Sequence, residues 1–119
     1  MRRARLALLC ALACALLVAP GAGAYHGYNP TALERISKQV FGARWYVAWC
    51  VTKYESTFGA TAGYDNGGQY GPWQSEESAH PWVDGPREET DWLYAARVAY
   101  RISDDGTDWS PWTTAYHCV

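Results

Sequence analysis

Two cysteines, Cys50 and Cys118, restrict what this chain can fold into, because the segment ahead of them marks the chain for export. Arg2, Arg3 and Arg5 precede an uncharged, Leu- and Ala-rich run from Leu6 to Ala19. Pro20 and Gly21 break that run, and Ala22-Gly23-Ala24 offers the small residues at which a signal peptidase cuts. The run is shorter than the roughly 20 residues of a membrane span. Residues 1–24 therefore read as a cleaved signal peptide and residues 25–119 as one domain. Cys14 does not read as a lipid-attachment cysteine, since Ala11 stands where such a box has Leu. In an oxidising compartment the two remaining cysteines are expected to pair. A bridge closing a loop of roughly 70 residues contributes about 4 kcal/mol on the chain-entropy account. Two distant cysteines are too few ligands for zinc, and His26, His80 and His117 have no ligand-like spacing, so neither a metal nor another cofactor is expected.

Removal of the leader leaves seven basic residues against twelve acidic ones, a net charge of −5. That balance argues against nucleic acid or an anionic membrane as the partner. Seven Trp and nine Tyr are many for so short a chain. Large aromatics fill the core of a small domain, and their faces also stack on sugar rings.

Asn29-Pro30 predicts the start of a helix, with Leu33, Ile36 and Val40 at helical spacing and Gly42 as its stop. A second helix is expected over 43–57, its apolar face formed by Val47, Val51 and Tyr54 and widened by Trp45, Ala48 and Trp49. From Gly59 to Gly71 the periodicity disappears into a Gly-rich loop, in which Asn66-Gly67 allows either a short hairpin or an irregular turn. Residues 72–86 hold three prolines and allow only short elements. A third helix is expected to begin near Arg87 to Thr90, its positive end favoured by Glu88, Glu89 and Asp91, and to end at Asp104-Asp105-Gly106. Trp109-Ser110-Pro111-Trp112 should form a turn before Cys118. The fold class that follows is a mostly helical single domain with a Gly-rich loop after its second helix.

Glu55 falls in the last turn of that second helix, at the edge of its apolar face. Partial burial costs a carboxylate its solvation, and the negative end of the helix opposes it too. Both effects favour a protonated carboxyl group able to donate a proton to a leaving oxygen. Position alone does not separate this from an ordinary solvated helix glutamate. The order of motifs around it does more. Glu55-Ser56, a Gly/Asn-rich loop, Gly71-Pro72-Trp73-Gln74, Ala95-Ala96 and Trp109-Ser110-Pro111-Trp112 follow one another over most of the mature chain.

This series resembles the soluble-lytic-transglycosylase domain of the lysozyme superfamily, which carries Glu-Ser at a helix end and Gly-x-x-Gln about twenty residues later. The resemblance implies a lysozyme-like α+β or mostly α fold and a cleft for peptidoglycan glycan strands. Glu55 takes the place of the single catalytic acid and Gln74 that of the cleft glutamine, with Ser56, Tyr70, Gly71 and Trp73 as further substrate-binding candidates. Gly71 would let the backbone approach a sugar closely. Trp73 and Trp82 are the candidates for sugar stacking, whereas Trp45 and Trp49 read as core. The implied activity is cleavage between N-acetylmuramic acid and N-acetylglucosamine, by a lytic transglycosylase or a lysozyme-type hydrolase, in a secreted monomer associated with the cell wall.

The chain departs from the pattern at several points. Ser75 follows Gln74 where an aliphatic residue is usual, and Pro72 is unusual within its motif. Tyr64-Asp65-Asn66 replaces a serine, and Asp91-Trp92 stands where an asparagine is common. These changes leave open whether the product is an anhydro sugar or a hydrolysed one. For hydrolysis Asp65 is the candidate second carboxylate, since an inverting glycosidase places one about 6.5–9.5 Å from its acid. Asp65 suits a plain Asp-Asn-Gly turn better. A non-catalytic glycan-binding or inhibitory module on the same fold is the alternative to an enzyme. A disulfide-stapled structural protein is a third.

Overall fold

Asn29 and Pro30 open the first helix as their chemistry dictates. In the computed structural model, which describes residues 27–63 and 65–119, α1 spans Pro30–Phe41, and the Asn29 side chain accepts from the Ala32 amide at 3.0 Å. The signal peptide expected over residues 1–24 lies outside the described residues, as do His26 and Tyr64. Leu33, Ile36, Ser37 and Phe41 form the buried face of α1. Gly42, with φ 57°, ends it, and a 3₁₀ turn over Gly42–Arg44 leads directly into α2, Trp45–Ser56. The second helix therefore begins two residues later than its apolar pattern suggests, its first turn wound more tightly.

α2 ends without a glycine. Thr57 and Phe58 both take the left-handed conformation at φ 52°, and their amides donate back to the Lys53 and Thr52 carbonyls. Such a pair costs backbone energy. Phe58 offsets part of it by packing its ring on Trp49, centroids 4.9 Å apart. Gly59 follows at φ 91°, and a Cβ there would lie 2.5 Å from Cη2 of Trp92, so glycine is required both by conformation and by space.

The Gly-rich region holds a two-stranded antiparallel hairpin, but not across Asn66-Gly67. β1 is Gln69–Tyr70 and β2 is Ser75–Glu76, paired Gln69 with Glu76 and Tyr70 with Ser75. The chain reverses at Gly71-Pro72-Trp73-Gln74, where Gly71 has φ 76° and Gln74 φ 49°. Asn66 and Asp65 instead brace the approach to β1: Asp65 accepts from the Gly68 amide at 2.8 Å.

The single helix expected near Arg87 is two. α3 spans Gly85–Glu88 under an Asp84 cap, and α4 spans Trp92–Ile102 under an Asp91 cap, each aspartate accepting from the amide three residues on. A stepped pair of caps explains why the acidic residues looked like one helix start. α4 ends in two left-handed aspartates, Asp104 and Asp105, and Gly106. The tail turns at Trp109–Trp112 and closes with a 3₁₀ helix, Thr113–His117. Cys50 and Cys118 are bonded, which staples this tail to α2. The fold is mostly helical with one small sheet, as a lysozyme-like α+β domain requires.

α1 packs on both α2 and α4, and the tail helix packs on α2. The core between them is built of tryptophans whose N–H groups all find backbone acceptors, as buried indoles demand. Trp49 donates to Pro30, Trp73 to Ala48, Trp92 to Glu89, Trp109 to Gly106 and Trp112 to Trp73. Phe41 sits among Trp73, Trp109 and Tyr100, with centroids 5.4–6.3 Å away.

One charged residue enters this interior. Glu88, on α3, is fully buried, and neither carboxyl oxygen has a hydrogen-bond partner. Burial pushes its pKa up to about 8; the Ser75 hydroxyl pulls it down by less, without geometry for a proper bond, and Asp84 and Glu77 push it up. The folded state thus holds a proton that the unfolded chain releases near its ordinary value of 4.5. Stability is complete below that value and declines as pH rises towards about 8, by up to about 1.4 kcal/mol per pH unit. Denaturant titrations from pH 5 to pH 8.5 should show this decline, and Glu88→Gln, which stays neutral, should remove most of it. A second expectation concerns packing. Gly59→Ala should destabilise by about 1–3 kcal/mol or more, because it overpacks against Trp92. Gly63→Ala, which meets nothing within 4 Å, should stay within about 1 kcal/mol of the parent in the same urea titrations.

Candidate functional site

Three separated stretches of sequence build one cleft of about 440 Å³, a volume in the range of small-ligand sites. α2 contributes Glu55, the hairpin contributes Gln69, Gln74, Ser75 and Glu76, and the tail contributes Trp112, Thr113 and Thr114. His80, past β2, closes one side.

Glu55 is half-buried in the last turn of α2. Its Oε1 accepts a hydrogen bond from the Thr114 hydroxyl at 2.6 Å, across 59 residues of sequence. Burial raises its pKa above the ordinary carboxyl range, and the Thr114 bond, which favours the anion, offsets part of that rise. The result is a carboxyl group biased towards its acid form, open to a cleft and held in one orientation.

Gln74 lines the same cleft. Its Nε2 donates to the Gly71 carbonyl at 2.8 Å, and its Oε1 accepts from Asn66 Nδ2 at 2.7 Å. Its left-handed backbone, rare for a glutamine, is what turns the side chain back over the hairpin. One amide hydrogen is left for a ligand. A strained backbone at a cleft residue is where functional constraint often shows.

The other residues expected to touch a ligand do different work. Trp73 is fully buried, its ring beneath the cleft and its N–H on Ala48, so it offers no face for stacking. Ser56 is also buried: its hydroxyl donates to the Pro72 carbonyl at 2.8 Å and accepts from the Gly59 amide at 2.9 Å. It fastens the end of α2 to the hairpin turn. Gly71 is kept small by α3, not by a ligand, since a Cβ would lie 2.8 Å from the Glu88 carbonyl oxygen. The Tyr70 ring packs where a Cβ on Gly85 would strike it, and its hydroxyl donates to Asp65 at 3.3 Å. Asp65 is exposed and serves the turn through Gly68 and Tyr70; it does not line the cleft of Glu55. Trp82 is exposed, but the Arg101 guanidinium lies 4.0 Å over its ring. Trp45 and Trp49 pack against the core, as expected.

Thr114, Glu76 and His80 are cleft residues that sequence reasoning passed over. Thr114 carries no local signal, because only the fold brings it to Glu55. Glu76 carries no local signal either, because the turn at Gly71–Gln74 decides which side chains of β2 reach the cleft.

No helix among the described residues is long and apolar enough to cross a membrane. No curated protein and no solved structure matches the chain. A family model does: the lysozyme-like domain, of soluble-lytic-transglycosylase type, matches residues 42–114, which contain Glu55, the hairpin and Thr114. Over more than half of its length, and with the helical architecture that model implies, the chain belongs to the lysozyme-like domain family, whose members point to peptidoglycan-directed, glycosidase-type chemistry.

Proposed function

We propose that this protein is an exported peptidoglycan glycosidase that cuts between N-acetylmuramic acid and N-acetylglucosamine, with Glu55 as the proton donor. The observation that carries this reading is the placement of Glu55, the carboxyl group that burial keeps towards its acid form at the wall of a cleft. A glycosidic oxygen is a poor leaving group until it is protonated, and a carboxylic acid with a raised pKa supplies that proton near neutral pH. The Thr114 hydroxyl on Oε1 restricts the rotation of the carboxyl group at the cleft wall. Gln74, braced by Asn66 and Gly71, would hydrogen-bond the sugar through its remaining amide hydrogen. After protonation the cleaved sugar is captured either by its own 6-hydroxyl, which gives a 1,6-anhydro end, or by water. The Cys50–Cys118 bridge suits work outside the cell, and action on wall strands as a monomer belongs to the same proposal.

A second reading keeps the cleft and drops the chemistry, leaving a secreted glycan-binding module. The engagement of Gln74 with two protein partners favours it, because a glutamine so occupied has little left to give a substrate. Glu55→Gln separates the two. On purified sacculi the variant of an enzyme should release soluble saccharides at least about 100-fold more slowly, with its thermal melt and co-sedimentation with sacculi unchanged. Equal release by parent and variant would discard Glu55 as the acid, and no release by either would leave the binding module.

The Thr114 contact yields a finer expectation. Its bond lowers the Glu55 pKa, so Thr114→Val should raise it and move the alkaline limb of the pH–rate profile to higher pH. A limb that moves down or stays in place would mean that another group controls it.

A further inference from the structure

We infer that Glu76 is the second catalytic carboxylate of the cleft, the base that activates water, and that the protein is therefore an inverting hydrolase; this rests on the glycosidase reading with Glu55 as acid. Glu55 and Glu76 come from different elements and line the same cleft: Glu55 from the end of α2 and Glu76 from β2 of the hairpin. Asp65, the candidate second carboxylate of the sequence, is occupied elsewhere.

The setting of Glu76 differs from that of Glu55 in the way the two roles require. The Ser78 hydroxyl donates to its Oε1 at 2.9 Å, which orients the carboxylate, and no hydrogen bond to Oε2 forms among the described residues. No lysine or arginine forms an ion pair with Glu76 among the described residues. Strand pairing with Gln69 fixes the backbone at Glu76, so its position is set by the hairpin and not by a loose loop. Gln74, in the turn, and Glu76, on β2, line the same cleft, so a sugar held by Gln74 would lie beside Glu76.

The step balances as follows. Glu55 gives its proton to the glycosidic oxygen as the bond from that oxygen to the anomeric carbon breaks. Water attacks the same carbon from the opposite face and loses a proton to Glu76. The products are two saccharides, one with a new reducing end of inverted configuration; Glu55 is left ionised and Glu76 protonated, and exchange with solvent restores both. A cleft of about 440 Å³ leaves room for that water beside a bound sugar.

The test uses the disulfide-bonded protein on purified sacculi, with the parent, E55Q, E76Q and E76A compared by mass spectrometry of the soluble products and by proton NMR of fresh reducing ends. The parent should release reducing-end saccharides of inverted configuration, and E76Q should do so about 100-fold or more slowly while melting normally and still binding sacculi. Azide should restore turnover to E76A and yield a glycosyl azide, a product that a merely structural role cannot give. Three outcomes overturn the proposal: anhydro ends alone from the parent, retained configuration, or unchanged hydrolysis by a folded E76Q. In these cases Glu55-dependent release persists and the glycosidase reading stands. Release that ignores E55Q, or no release from the parent, removes that reading and Glu76's role with it.

Discussion

Two indole hydrogen bonds in series hold the working parts of this domain together. Trp73 donates to the Ala48 carbonyl on α2, and Trp112 donates at 2.7 Å to the carbonyl of Trp73 itself. The first joins the hairpin turn to the helix that carries Glu55, and the second joins the tail to the hairpin turn. Both bonds are buried, where a lost partner leaves a polar group with nothing to replace it. Ser56 adds a third tie between α2 and the carbonyl of Pro72. The hairpin and the tail are thus fixed to α2 and to each other through backbone carbonyls.

The sequence made the helical frame legible because its ends are written in local chemistry. Asn29-Pro30 and Gly42 bound α1 as predicted, and the apolar face of α2 lies where its spacing put it. Glu55 and Gln74 were found through the order of motifs, and both line the cleft. Asn66-Gly67 allows a hairpin or an irregular turn and forms the irregular one; the hairpin reverses farther on, through a left-handed glutamine that no propensity favours. The acidic run from Glu88 to Asp91 was merged into one helix start because two Asp caps seven residues apart mimic a single one. Trp73 was mistaken for a stacking platform because a core indole and a surface indole read alike in a sequence; only burial tells them apart. Thr114 lies beyond local inference altogether.

Glu55 and Glu88 show one physical effect put to two ends. Burial raises the pKa of both carboxyl groups. Glu55 meets a cleft and a hydroxyl that tempers the shift, so its carboxyl group lies at a surface that a ligand can reach. Glu88 is sealed under the turn at Gly71, with no partner for either oxygen, so its proton serves only to keep charge out of the interior. Ser75, which lines the cleft while bearing on Glu88, links the two environments. Its presence where an aliphatic residue is usual fits a wall that has a carboxyl group behind it.

The bond between Glu55 and Thr114 spans 59 residues, and the bridge that seats the tail joins Cys50 to Cys118. A polypeptide made from its N-terminus forms α1, α2 and the hairpin first, yet at that stage Glu55 faces open water on the side that the tail will cover. The cleft is accordingly completed only once the tail has been made: Glu55 acquires its hydrogen-bonded setting when Thr114 arrives, and a nascent chain that stops short of it carries the carboxyl group without that setting.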